Sequence, residues 1–133
     1  MELRAIGSVS SPLVDRDAAP KQGDEGAPEA VLEIAPEFEP AIEGIEPGEE
    51  VLVLTWLDRA DREVLSTHPR DDPSRPAIGV FATRSPDRPN PIGLHRVRVV
   101  AVDGGRLRVE NLEAIDGTPV LDLKPVLGEV GER

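Results

Sequence analysis

Proline and glycine punctuate this chain so often that long helices have almost no room. Among 133 residues there are 14 prolines and 12 glycines. Proline cannot sit in a helix interior without losing a hydrogen bond and clashing with the preceding turn, and glycine weakens helices and strands alike. What remains between the breakers is a series of short apolar runs, which favours an all-β fold: a barrel or strongly curved sheet with short helical turns. The length fits one domain spanning 1–133, with a single hydrophobic core.

The strongest strand is Val51 to Leu57, VLVLTWL, apolar on both faces apart from Thr55 and so expected to be central and buried. Ala5 to Val9 reads as a first strand ended by Ser11-Pro12, and Val31 to Ile34 as a second. Asp15 to Pro28 is polar and reads as a loop, and Pro36 to Gly44 as one or two helical turns. Asp58 to Pro76 is charged and proline-broken, an exposed excursion, and Gly79 to Ala82 reads as a short strand after it. Leu94 to Val102 alternates Arg96 and Arg98 with valines, and Asp103-Gly104-Gly105 turns it into Leu107 to Leu112 as a hairpin. Asp116-Gly117 makes a further turn before the strand Val120 to Leu123. With only Phe38, Trp56 and Phe81 as aromatics, the core is aliphatic and platforms for stacking bases are few.

There is no cysteine, which excludes disulfides, thiolate metal sites and cysteine nucleophiles. His68 and His95 are too few and too far apart for a metal site, so no metal is expected. Either could instead be structural or serve as a base. No apolar run approaches the roughly 20 residues that span a bilayer, and the N-terminus lacks a signal-peptide pattern, so a cytoplasmic location is expected. The formal net charge of −11 argues against nucleic-acid binding, but the charge is uneven. Residues 1–66 hold 5 basic and 16 acidic side chains, whereas 67–133 hold 10 of each. The arginines between 70 and 108 could form a local basic face or pair with the acidic half.

The unusual segment is Gly79 to Leu94, GVFATRSPDRPNPIGL, with Pro86, Pro89 and Pro91 within six residues. Each proline fixes φ and pushes the residue before it (Ser85, Arg88 and Asn90) out of the α region. A stiff, extended loop should result, projecting Arg84 and Arg88 from a preorganised backbone. Two planar guanidinium forks and the Asn90 amide suit a polar, anionic ligand group; the alternative is a rigid corner with surface arginines.

This segment closely resembles the signature of the TrmO/TsaA-like family of S-adenosylmethionine-dependent methyltransferases. Ile6-Gly7 with Ser11-Pro12, Pro20-Lys21-Gln22, Asp116-Gly117-Thr118-Pro119 and Asp122-Leu123-Lys124-Pro125 resemble further family elements, in the family's order across nearly the whole chain. The resemblance implies a β-barrel-like methyltransferase and a homodimer with its cofactor, S-adenosylmethionine, near the subunit interface. It also implies methylation of N6 of threonylcarbamoyladenosine beside a tRNA anticodon. Carried over to this chain, it assigns cofactor contacts to Pro20, Lys21, Gln22, Arg84, Leu94, Asp116, Gly117, Thr118 and Pro119. Where the family often has a His-Gln pair after the central strand, this chain has Leu57-Asp58. Asp58 is the candidate there, as a carboxylate facing a cofactor cation or as a charged strand end. Arg84 and Arg88 are the catalytic candidates for orienting the acceptor or the cofactor carboxylate, and Asn90, the third, for fixing the loop or touching the acceptor. The Asp116-Gly117 turn offers backbone donors and a carboxylate at one place, or else simply joins two strands. Lys124 serves the site or pairs with Asp122. Longer family members continue past the point where this chain ends. A same-fold methyltransferase with a small-molecule acceptor, and a non-catalytic module that binds the cofactor, are the competing functions.

Overall fold

The computed structural model describes residues 1–14 and 27–128. Among the described residues eight strands form: β1 (Gly7–Ser10), β2 (Ala30–Ile34), β3 (Glu50–Trp56), β4 (Ser66–Thr67), β5 (Ile78–Gly79), β6 (Ile92–Asp103), β7 (Arg106–Glu110) and β8 (Pro119–Pro125). Six of them close into an antiparallel barrel in the order β1-β2-β7-β6-β3-β8, with β8 pairing back onto β1. Closure removes the free edges that an open sheet would present. The two-residue strands β4 and β5 make a separate ribbon outside it.

The barrel interior follows from side-chain alternation. In β6, Gly93, His95, Val97 and Val99 are buried while Ile92, Arg96 and Arg98 are exposed. Val51, Val53 and Thr55 of β3 point inward beside them, and Leu32, Leu107, Val109 and Val120 complete an aliphatic interior with no exposed surface. The interior is therefore filled by side chains, as expected of a small barrel. β3 lies between β6 and β8, which explains why Val51, Leu52 and Val53 are all buried.

Most strands match their expected positions within a few residues. The first is shifted, to Gly7–Ser10 instead of Ala5–Val9, because Gly7 to Ser10 face Ile34 to Val31 in register. Gly79 to Ala82 is corrected: only Ile78–Gly79 is strand, and Val80–Ala82 is a 3-10 turn. The chain bends there because Thr83 N–H returns to the Val80 carbonyl at 3.0 Å. Pro36–Ile42 is a 3-10 helix starting at a proline, consistent with the helical turns expected.

The outer face settles the fate of four of the arginines. Arg96 pairs with Glu50, Arg98 with Glu110, Arg106 with Glu33 and Arg108 with Glu29. Each pair joins strands that are neighbours in the barrel or its flank, as charge pairs opposite one another do. A continuous basic face does not form on β6 and β7, since acidic partners come mostly from the first half of the chain. Lys124 pairs with Asp122 at 3.1 Å, the structural one of the two roles expected for it.

The Arg96 hydrogen bond to Glu50 holds that carboxyl below the usual carboxylate range. A depressed folded-state value contributes stability above the unfolded value and loses it as pH falls through the folded one. Glu50→Gln should therefore flatten the acid limb of a melting-temperature profile where pH falls through and below the ordinary carboxylate value, modestly, because the pair is half exposed.

Candidate functional site

Antiparallel pairing brings the end of β3 and the beginnings of β6 and β8 to one mouth of the barrel, since Trp56 pairs with Ile92 and Thr55 with Val120. The connections there are the proline loop 83–91, the turn after β3 and the segment 111–118. Together they surround a cleft of about 810 Å³. That volume lies within the usual range of small-molecule sites, roughly 300–1,000 Å³.

The structure brings Asp58, Arg84, Arg88, Asn90, Leu94 and Thr118 to this one cleft. Leu57, Ala114 and Ile115 supply apolar wall, and Phe81, largely exposed, stands at the rim. The loop is fixed at both ends. Arg88 turns inward on it, Nη1 donating to the Thr83 carbonyl at 2.9 Å and the Ser85 carbonyl at 3.0 Å. Its guanidinium carbon also lies 6.0 Å from the centre of the Phe81 ring. Arg88 thus braces the loop, whereas Arg84 is exposed on the cleft wall.

The far end of the loop is held by a residue the sequence did not single out. Arg62 donates from Nε to the Pro89 carbonyl at 2.7 Å and from Nη2 to Asn90 Oδ1 at 3.1 Å. Its guanidinium carbon sits 5.1 Å from the centre of the Trp56 ring. Asp61 N–H donates to Asp87 Oδ1 at 2.8 Å beside it. Asn90 is thereby engaged in fixing the loop. Arg62 hides in sequence because it lies among charges in an exposed segment, with no spacing that ties it to residue 89. Arg62→Ala should release the loop. The expected result is several-fold faster trypsin cleavage after Arg84, with the Arg88-Pro89 bond resistant, and a melting temperature lower by only a few degrees.

Asp116, Gly117 and Pro119 lie beside the cleft and are not part of its wall. Their turn ties β1 and the segment after it to the beginning of β8. Asp116 N–H donates to Leu13 O, Gly117 N–H to Val9 O and Thr118 N–H to Ile115 O. Asp116 Oδ1 accepts from Ser11 N–H at 3.0 Å, and the Thr118 hydroxyl donates to Ile115 O at 2.7 Å. Gly117 has φ of 83°, which favours glycine at that position. The backbone donors of this turn are engaged within the protein. Pro20, Lys21 and Gln22 lie outside the described residues.

His95 and Glu113 also line the cleft, and the buried Thr55 adjoins His95. Thr55 Oγ1 is 2.7 Å from His95 Nε2, and His95 Nδ1 is 2.5 Å from Glu113 Oε1. Thr55 is fully buried and His95 nearly so, while the Glu113 side chain keeps 16% of its surface. Gly93 makes this possible. A Cβ there would lie 2.3 Å from Thr55 Oγ1 and 2.6 Å from His95 Nε2. His68 is elsewhere: exposed, with Nδ1 2.6 Å from the Arg75 carbonyl. Among the described residues no group of His, Asp and Glu is arranged to hold a metal ion, and no helix is long and apolar enough to cross a membrane.

The chain matches the family model described as the tRNA-methyltransferase O N-terminal domain over residues 8–131. It is 42% identical over 130 residues to a protein of Methanothermobacter thermautotrophicus named as a probable S-adenosyl-L-methionine-binding protein, covering 98% of this chain and 93% of that one. A relative of the same name from Archaeoglobus fulgidus is 46% identical over 125 residues, 94% of this chain but 34% of that protein. The crystal structure of TrmO from Pseudomonas aeruginosa superposes with a TM-score of 0.75 at 34% identity, covering 96% of this chain and 56% of that one. The chain therefore spans between about a third and nearly all of the length of these relatives.

Proposed function

Because the chain belongs to the tRNA-methyltransferase O N-terminal domain family, we propose that it binds S-adenosylmethionine in the barrel-mouth cleft and transfers its methyl group to N6 of threonylcarbamoyladenosine in tRNA. The observation that carries this reading is the convergence of Arg84, Leu94, Asp58 and Thr118 on one cleft of about 810 Å³. Bound there, the cofactor supplies a methyl group on a positively charged sulfur.

The residues present fit such a ligand. It carries a carboxylate, an ammonium and a sulfonium on an apolar-faced nucleoside. The cleft offers the Arg84 fork for the carboxylate, Asp58 and Glu113 as carboxylates for the cations, and Leu57, Leu94, Ala114 and Ile115 as apolar wall. Arg84 binds and orients, from a loop that Arg62 and Arg88 hold still. Preorganisation of this kind lowers the ordering cost of binding and is the main contribution a protein makes to a displacement between two bound groups. The Asp116 turn fixes the position of Thr118 on the cleft wall. Pro20, Lys21 and Gln22 would add cofactor contacts, and a homodimer would complete the site, as in the family the sequence resembles.

A second acceptor class is favoured by one observation. The arginines of β6 and β7 are paired with acidic residues and the net charge is −11, so the barrel wall offers little attraction to a phosphate backbone. A methyltransferase of this fold acting on a small molecule would not need that attraction. Radiolabelled methyl transfer into tRNA with and without the threonylcarbamoyl group, followed by nucleoside analysis, separates the readings. Label in N6-methylated threonylcarbamoyladenosine is expected. Cofactor binding with no label in either tRNA would point to the small acceptor or to a non-catalytic binding module.

A further inference from the structure

The apolar column inside the barrel ends in three linked polar side chains, Thr55, His95 and Glu113. Which hydrogen bonds they can make follows from the donors and acceptors each carries. A carboxylate only accepts, so His95 Nδ1 carries the hydrogen that Glu113 Oε1 receives. Among the described residues the buried Thr55 hydroxyl has His95 Nε2 as its partner, and it can donate to that nitrogen or accept from it. The arrangement in which the hydroxyl donates leaves one ring nitrogen donating and the other accepting, and it is the one in which the trio carries the negative charge of Glu113. This charge differs from the others at the cleft. Asp58 and Asp71 are exposed and screened by water, Arg84 and Arg59 are exposed, and Arg88 is turned to the Thr83 and Ser85 carbonyls. The Glu113 side chain is mostly withdrawn from solvent, held at one oxygen, and lines the cleft. A fixed charge in a partly desolvated wall acts on a ligand charge far more strongly than an exposed one does.

We propose that Glu113, held in place by His95 and Thr55, is the residue by which the cleft selects a positively charged sulfonium over the neutral thioether that remains after methyl loss. This rests on the reading that the cleft takes S-adenosylmethionine. It gives the site a simple means of releasing its product, because loss of the methyl group removes the charge that Glu113 holds.

Isothermal titration with S-adenosylmethionine and with S-adenosylhomocysteine tests it without any acceptor. The wild-type protein should bind the sulfonium about tenfold or more tighter than the thioether. Glu113→Gln keeps an oxygen for His95 but removes the charge, and should bring the ratio close to one. If Glu113→Gln is too unstable to assay, Glu113→Asp decides: its charge is withdrawn by a methylene and should select less well, and an unchanged ratio overturns the assignment. Equal wild-type affinities, or a ratio that survives in a folded Glu113→Gln protein, overturn the role of Glu113 while leaving cofactor binding intact. A wild-type protein that binds neither nucleoside removes the cofactor reading itself, and this assignment with it.

Discussion

Arg84→Ala should lower methyl transfer by about a hundredfold or more while leaving the barrel folded. Arg84 is exposed on a loop outside the core, so its loss creates no core cavity and should lower the melting temperature by only a few degrees. Its effect on the site is of another order. Charge-assisted hydrogen bonds contribute about 1.5–3 kcal/mol each, and a guanidinium can make two in parallel to a carboxylate. Losing both amounts to about 3 kcal/mol at the low end, which is a factor of about a hundred. The loop makes this contribution dependable: Arg88 and Arg62 brace it, so Arg84 is not searching for its partner. Arg84→Lys should recover only part of the loss, because a lysine offers a point charge instead of a planar fork. The check is kcat and the cofactor KM for both variants against melting temperature. Near wild-type turnover in Arg84→Ala would take this residue out of the site.

Gly93→Ala should act in the opposite way, through the fold first. Its new methyl would lie 2.3 Å from Thr55 Oγ1 and 2.6 Å from His95 Nε2, well inside any tolerable contact. Neither neighbour can move cheaply. Thr55 is on β3, paired in register with Gly93, and is fully buried. His95 is tied at both ring nitrogens. The methyl must displace one of them, and overpacking costs about 1–3 kcal/mol before any buried hydrogen bond is lost. An unsatisfied buried polar group adds about 1–3 kcal/mol. A loss of about 2–6 kcal/mol is therefore expected, which for a domain of this size lowers the melting temperature by roughly 10 °C or more. Adding Thr55→Ala should restore part of it, because the second change removes the atom that the methyl meets and the two sites are coupled. Thermal denaturation of the single and double variants checks this; strictly additive losses would contradict the contact.

These two residues also mark how much could be read from the chain. Arg84 stood out because Pro86, Pro89 and Pro91 flag a stiff loop, and stiffness is a local property of backbone chemistry. β3 stood out because a run apolar on both faces has few places to go except the middle of a sheet. The Thr55–His95–Glu113 trio did not. His95 appeared as a lone histidine, and Thr55 as the one polar residue in an apolar strand. Their meeting depends on the β3–β6 register, which pairs Thr55 with Gly93, and Glu113 arrives from another connection. Arg62 was hidden for the same reason, since its partners lie 27 and 28 residues away on a different loop. The strand expected at Gly79 to Ala82 failed because a short apolar run carries no period long enough to separate strand from 3-10 turn. At the Asp116-Gly117 turn, sequence identified the bend but could not show that its N–H groups were already committed to Val9, Leu13 and Ile115. The two open roles of Arg96, Arg98, Arg106 and Arg108 were decided only by closure of the barrel, which sets acidic side chains beside them.

A crystal structure of the protein grown with S-adenosylmethionine addresses the central claim most directly. The account predicts the nucleoside at the barrel mouth, against Leu94 and Thr118, with its carboxylate on Arg84 and its sulfur toward Glu113. A well-ordered cofactor bound anywhere else, or Arg84 pointing away from it in the liganded protein, would contradict the account.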